Sequence, residues 1–145
     1  MPRIPDRRTV CLIRRLDNAL VKKRNQVLLK YNLTAAQADM IAFILKNRDK
    51  GEINLLDVQR HLMVSHPTVV GLASRLEEKG LLIQEQSDRD ARFVSLRPTR
   101  ACCALEDVLK QAAADSEARI LRSMTKAEQA EFRRLLELAL ENSGE

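Results

Sequence analysis

The stretch "VSHPTVVGLASRLEEKGLL", residues 64–82, decides the fold. Val69, Leu72, Ala73 and Leu76 fall at spacings i, i+3, i+4 and i+7, which sets all four on one side of a helix and buries that side. Ser65 offers a capping hydroxyl at the front, and Gly80 stands where a left-handed residue ends a helix, so the segment makes about four turns. The opposite side carries a histidine and small polar groups, and it is free to meet something other than the core.

The rest of the chain narrows what that something is. At 145 residues, 45% of them hydrophobic, the chain suits one domain with a packed core. Aromatic residues make up 3% and tryptophan is absent, so the core is expected to be leucine, isoleucine, valine and alanine, a composition that favours helices. Four glycines and four prolines leave little room for the turns of an all-β fold. With no G-x-G-x-x-G or Walker-type loop, a nucleotide enzyme is not expected. No nucleophile, base and orienting group occur in a recognisable spacing, so the chain does not read as an enzyme.

No apolar run approaches the roughly 20 residues that a membrane span needs. The start, "MPRIPDRRTV", is too charged for a signal peptide, and a cytoplasmic protein is expected. The three cysteines, Cys11, Cys102 and Cys103, are an odd number with an adjacent pair, which argues for reduced thiols over a disulfide framework. His61 and His66, the two histidines, form no metal pattern, and no cofactor is expected. Charge is uneven: residues 1–30 carry +7, residues 31–100 carry +1 and residues 101–145 carry −3. A basic front and acidic tail suit a protein that meets a polyanion on one side, although solvated helix faces look similar.

Pro5 and Asp6 are expected to open a first helix running to about Lys30, with Leu12, Ile13, Leu16, Leu20 and Val27 at helical spacing. Thr34 and Gln37 form a capping-box pattern ahead of a second helix with Met40, Ile41, Ile44 and Leu45 as its stripe. After the turn-rich "NRDKGE", Asn54 caps a short helix from Leu55 to about Leu62, only two residues before Ser65. Two helices joined by a tight turn, the second polar at its N-terminus, form the pattern of a helix-turn-helix. "LLIQEQ" and "RFVSL", separated by "SDRDA", then read as a hairpin beside it, a wing. One helix is expected from about Thr99 to Arg122. Another is capped by Thr125 and Glu128, with Phe132, Leu135, Leu136, Ala139 and Leu140 as its stripe.

This order of elements resembles the MarR family of bacterial transcriptional regulators. The resemblance covers nearly the whole chain, and it is carried by "LTAAQ" (33–37), "SHPTVVGLASRLEEKGLL" (65–82) and the wing "DRDAR" (88–92). It implies a mainly α winged helix-turn-helix in a single domain over residues 1–145. A DNA-binding lobe would span about 33–97, and dimerisation helices about 6–30 and 99–142. It implies a homodimeric, sequence-specific repressor on a pseudo-palindromic operator of double-stranded DNA, released by a small-molecule effector or an oxidant. The effector would sit between the winged lobe and the dimer helices.

In that arrangement the helix beginning at Ser65 enters the major groove, with Pro67 in its first turn, and the wing reaches a minor groove or the backbone. Ser65 and Thr68 can bond phosphates or base edges, and His66 can reach a purine acceptor. Val70 can touch a thymine methyl, Arg75 can clamp a phosphate, and Arg89 or Arg92 can enter a narrow minor groove. Val70 and Gly71 stand where the family commonly carries threonine and a basic residue. Gly71 has no side chain to read a base.

Each signal has a plainer reading beside it. Ser65 can serve as a cap alone, and Thr68 likewise. Arg75 can pair with Glu78 on its own helix for about 0.2–0.5 kcal/mol. "DRDAR" can be a soluble tip, or its aspartates can orient its arginines. His61, at a helix end, is explained by the dipole. Cys11 reads first as a structural thiol, and Cys102 and Cys103 begin a helix, where a thiol pKa can be lowered; Cys11, Cys102 and Cys103 are the redox candidates, with a redox role the minority reading. The rival to a regulator is a winged-helix module that binds a protein partner, or shapes DNA without sequence preference.

Overall fold

The computed structural model describes residues 8–144. The expected helix opening at Pro5 and Asp6 lies outside the described residues. Helix α1 is Thr9–Leu28, followed by a 3-10 turn, Leu29–Tyr31, that closes on Asn32 in the left-handed region at φ 56°. Asparagine tolerates that conformation better than other side-chain-bearing residues. Helix α2 is Ala35–Asn47, and its capping box is in place: the Gln37 amide donates to Thr34 Oγ1 at 3.2 Å, and the Thr34 amide to Gln37 Oε1 at 3.2 Å. Strand β1 is Ile53–Asn54, and helix α3 is Leu55–Leu62. Helix α4 is His66–Glu78, β2 is Leu82–Gln86 and β3 is Val94–Pro98. Helices α5 (Arg100–Cys103), α6 (Glu106–Leu121) and α7 (Lys126–Ser143) follow.

The chain divides into two compact units, Met1–Ala112 and Ala113–Glu145, the division falling inside α6. In the first unit one apolar core runs through α2, α3, α4 and the sheet, with Leu28, Met40, Ile41, Ile44, Val58, Val69, Leu76 and Leu96 fully enclosed. Three of the four residues of the α4 seam, Val69, Ala73 and Leu76, are completely buried, and Leu72 packs against the same core. Helix α1 is tied to α2 within this unit. Asn25 Oδ1 accepts the Ala35 amide at 2.6 Å, and Arg24 pairs with Asp39 at 2.9 Å. Toward its N-terminus α1 leaves Val10, Leu12, Ile13 and Leu16 exposed.

The second unit holds the end of α6 together with α7. The Thr125–Glu128 capping box is present, and Arg133 bonds Glu117 across the two helices at 2.7 Å. Leu135, Leu136, Leu138 and Leu140 stay exposed. Among the described residues no helix is long and apolar enough to cross a membrane.

Three expectations change. The wing is part of a three-stranded antiparallel sheet of order β1-β3-β2, because buried Ile53 pairs opposite buried Leu96 just before Asn54 caps α3. A two-residue strand has no periodicity to read. The second wing strand begins at Val94, not Arg92, since the Phe93 amide turns back to the Asp90 carbonyl at 3.0 Å and keeps Arg92 and Phe93 in the tip. The helix expected from Thr99 to Arg122 is broken. Thr99 caps α5, but the Leu105 amide bonds the Cys102 carbonyl three residues back at 2.9 Å, and α6 starts anew at Glu106.

Candidate nucleic-acid interface

Helices α3 and α4 are held by side chains the sequence places at their ends. Asn54 Oδ1 accepts the Asp57 amide at 2.9 Å and Asp57 Oδ2 the Asn54 amide at 3.1 Å, a second reciprocal cap. The turn between the helices passes through Met63 in the left-handed region at φ 55°. The Val64 amide closes it onto the Gln59 carbonyl at 3.3 Å. A side-chain-bearing residue there costs roughly 1–2 kcal/mol, offset by the core contacts of the two helices it joins.

Ser65 begins α4 as a true cap: its Oγ accepts the Thr68 amide at 3.3 Å, and its hydroxyl lies 2.8 Å from Thr68 Oγ1. The two hydroxyls therefore form one exposed pair at the positive end of the helix dipole. Pro67 sits in the first turn, where a missing N–H costs nothing. His66 Nδ1 lies 3.3 Å from Gln59 Oε1, so the first residue of α4 is linked back to α3.

Opposite the buried seam, Pro67, Gly71, Ser74 and Glu78 follow one another at helical spacing down the middle of the outward side. His66 and Val70 flank that line on one side, and Thr68 and Arg75 on the other. Ser65, His66, Pro67, Thr68, Val70 and Arg75 are all exposed. Arg75 makes no ion pair with Glu78 or any other carboxylate among the described residues, which leaves its guanidinium available. At the far end of α4, Glu77 Oε2 accepts the Gln84 amide at 3.0 Å and Lys79 Nζ bonds Gln37 Oε1 at 2.9 Å. The helix is thus fixed against β2 and α2 by groups outside its outward side.

The wing tip is built on Ser87, a buried serine whose Oγ accepts the amides of Arg89 at 3.2 Å and Asp90 at 3.3 Å. Asp90 holds Arg92 in a fork, with Nε at 3.0 Å from Oδ1 and Nη2 at 2.7 Å from Oδ2. The Arg92 side chain and backbone amide hold the Asp90 carboxyl below the ordinary carboxylate value. Arg92 is thereby oriented while its side chain stays 85% exposed. Arg89 makes no side-chain ion pair among the described residues; it lines a groove of about 490 Å³ along the sheet beside β1.

The remaining candidates lie elsewhere. His61 is exposed and its ring lies against Phe43 of α2, with centroids 4.5 Å apart. Cys102 is buried, and burial pushes its thiol up to about 11, the reverse of the lowering expected at a helix start. Cys11 and Cys103 are half-buried. Among the described residues no group of three or more histidine, cysteine, aspartate or glutamate side chains could hold a metal ion. Gln59 and Lys79, whose partners stand across a turn or on another element, were not legible from the sequence, and Ser87 was missed although its bonds to the Arg89 and Asp90 amides are local.

Residues 31–92 match the model of the MarR family. Across the whole chain the structure is similar to the S. aureus MepR–DNA complex, with a TM-score of 0.87 at 18% identity, covering 97% of this chain and 99% of that one. It is also similar to Bordetella bronchiseptica BpsR, whose DNA binding is regulated by 6-hydroxynicotinic acid, with a TM-score of 0.82 at 25% identity, covering 96% and 97%. The reduced form of MarR from E. coli gives 0.75 at 23% identity, covering 97% and 99%. No curated protein sequence matches significantly.

Proposed function

We propose that this chain, whose residues 31–92 match the model of the MarR family, is a sequence-specific DNA-binding transcriptional regulator, not an enzyme. The observation that carries the reading is the outward side of α4. It is a rigidly capped helix whose exposed groups are two hydroxyls, a histidine, a valine and an unpaired arginine, with an oriented arginine on the wing beside it.

In this reading α4 lies in the major groove. Ser65 and Thr68 bind phosphate or a base edge, His66 meets a base, Val70 packs on a thymine methyl and Arg75 neutralises a phosphate. Arg89 and Arg92 follow the backbone or enter the adjacent minor groove. The exposed leucines and valines of α1 and of α7 are the surfaces on which a second copy of the chain would pack. The homodimer then presents two α4 helices to a pseudo-palindromic operator, with half-sites about one helical turn apart. Bound at a promoter in the cytoplasm, it acts as a repressor. The regulation of BpsR by 6-hydroxynicotinic acid supports release by a small molecule.

The test is an electrophoretic mobility shift of the purified protein on DNA from upstream of its own gene, with excess unrelated duplex, at two salt concentrations. A retained shift that weakens steeply with salt supports the regulator, because phosphate contacts release counterions. Equal competition by unrelated DNA supports the architectural or protein-interaction module instead.

A further inference from the structure

The contact between His66 and Gln59 links the front of α4 to α3. Gln59 Oε1 faces His66 Nδ1 at 3.3 Å, and because a carbonyl oxygen only accepts, this contact is a hydrogen bond in the tautomer that carries its proton on Nδ1. In that tautomer Nε2 presents a lone pair. His66 is exposed at the first position of α4, on the same flank as Val70, so that lone pair belongs to the surface assigned above to DNA.

Resting on the regulator reading, we infer that Gln59 is a positioning residue that holds His66 as a hydrogen-bond acceptor, so that His66 selects a base bearing an exocyclic amino group. In the major groove adenine N6 and cytosine N4 are donors, whereas guanine O6, thymine O4 and purine N7 are acceptors. On the strand His66 faces, adenine and cytosine satisfy Nε2, and guanine and thymine set acceptor against acceptor. This reverses the sequence-based expectation that His66 reaches a purine acceptor. It also assigns Gln59, on the helix before the recognition helix, a part in specificity with no base contact of its own.

The experiment is selection and sequencing of bound duplexes from a library randomised across the promoter site, with wild type, His66→Ala, Gln59→Leu and Gln59→Glu, each checked for an unchanged thermal melt. His66→Ala identifies the position concerned as the one where preference collapses. There the wild type should favour adenine or cytosine over guanine or thymine on one strand by about fivefold or more. Gln59→Leu should flatten that preference to about twofold or less, leaving other positions unchanged. Gln59→Glu places a carboxylate against Nδ1 and favours the doubly protonated ring, which turns Nε2 into a donor and should shift preference toward guanine or thymine. Wild-type preference for guanine or thymine, or a Gln59→Leu profile identical to wild type, would overturn the inference while leaving the regulator intact. A wild type with no preference at any position would overturn the regulator reading itself.

Discussion

Gly71 stands in the middle of the outward side of α4, where a helix gains nothing from a glycine. A Cβ built there meets no atom within 4 Å, and Gly71 is not among the glycines with positive φ. Neither clash nor backbone strain therefore opposes Gly71→Ala, and only the helix-propensity term is left, a gain of about 1 kcal/mol. For a chain of this size that gain is a rise of about 3–5 °C in melting temperature, read by circular dichroism at fixed protein concentration. The same methyl projects from the line Pro67, Gly71, Ser74, where the helix would lie closest to DNA. If the missing side chain admits the duplex, operator affinity measured by competition anisotropy should fall roughly tenfold while stability rises. A destabilised Gly71→Ala protein would refute the structural half of this reasoning, and a stabilised protein with unchanged affinity would refute the close approach.

Arg75→Ala should weaken binding to all duplexes about equally and lower the salt slope by about one per α4 helix bound, as loss of a phosphate contact does; a change confined to one base position would assign Arg75 to readout instead. Asp90, Glu106, Glu128 and Glu131 have carboxyls held below their ordinary values, by Arg92, by Arg48 ahead of Lys110, by the Thr125 amide and by Arg134 respectively. A carboxylate that binds its proton less tightly when folded contributes stability above its unfolded value and loses it as pH falls through the folded value. The urea midpoint should accordingly be level from neutral to about pH 5 and decline below 4.5, the ordinary glutamate value, whereas a midpoint that rises there would contradict these pairings. Cys102, buried with its thiol pushed to about 11, should resist iodoacetamide at pH 8 while half-buried Cys11 and Cys103 react, as read by mass spectrometry. Should peroxide change DNA affinity in the wild type, the effect should vanish in Cys11→Ser or in Cys103→Ser and persist in Cys102→Ser.

Helices with strong caps were legible from spacing alone. Thr34 with Gln37, Asn54 ahead of Leu55, Ser65 ahead of His66 and Thr125 with Glu128 each mark the observed start, because capping is a local bond over three residues. The α4 seam was legible for the same reason: one face of one helix fixes what is buried. What escaped depends on partners distant in sequence. Strand β1 exists because Leu96, 43 residues beyond Ile53, completes the ladder. The α5–α6 break rests on one carbonyl choice at Leu105, which no apolar pattern records. At the candidate site the exposed residues were legible as a surface, whereas their chemistry was not. Arg75 could have paired with Glu78 and does not, Asp90 takes Arg92 and leaves Arg89 free of it, and Gln59 reaches His66 across a turn.

The central claim is that two copies of α4 read DNA from successive turns of one face of the duplex. Hydroxyl-radical footprinting of the saturated complex on promoter DNA tests it most directly. The expected result is two protected half-sites of related, inverted sequence, centred about 10 base pairs or a multiple of that apart, each with flanking minor-groove protection from a wing. Protection of a single unpaired site, or uniform weak protection along the fragment, would contradict it.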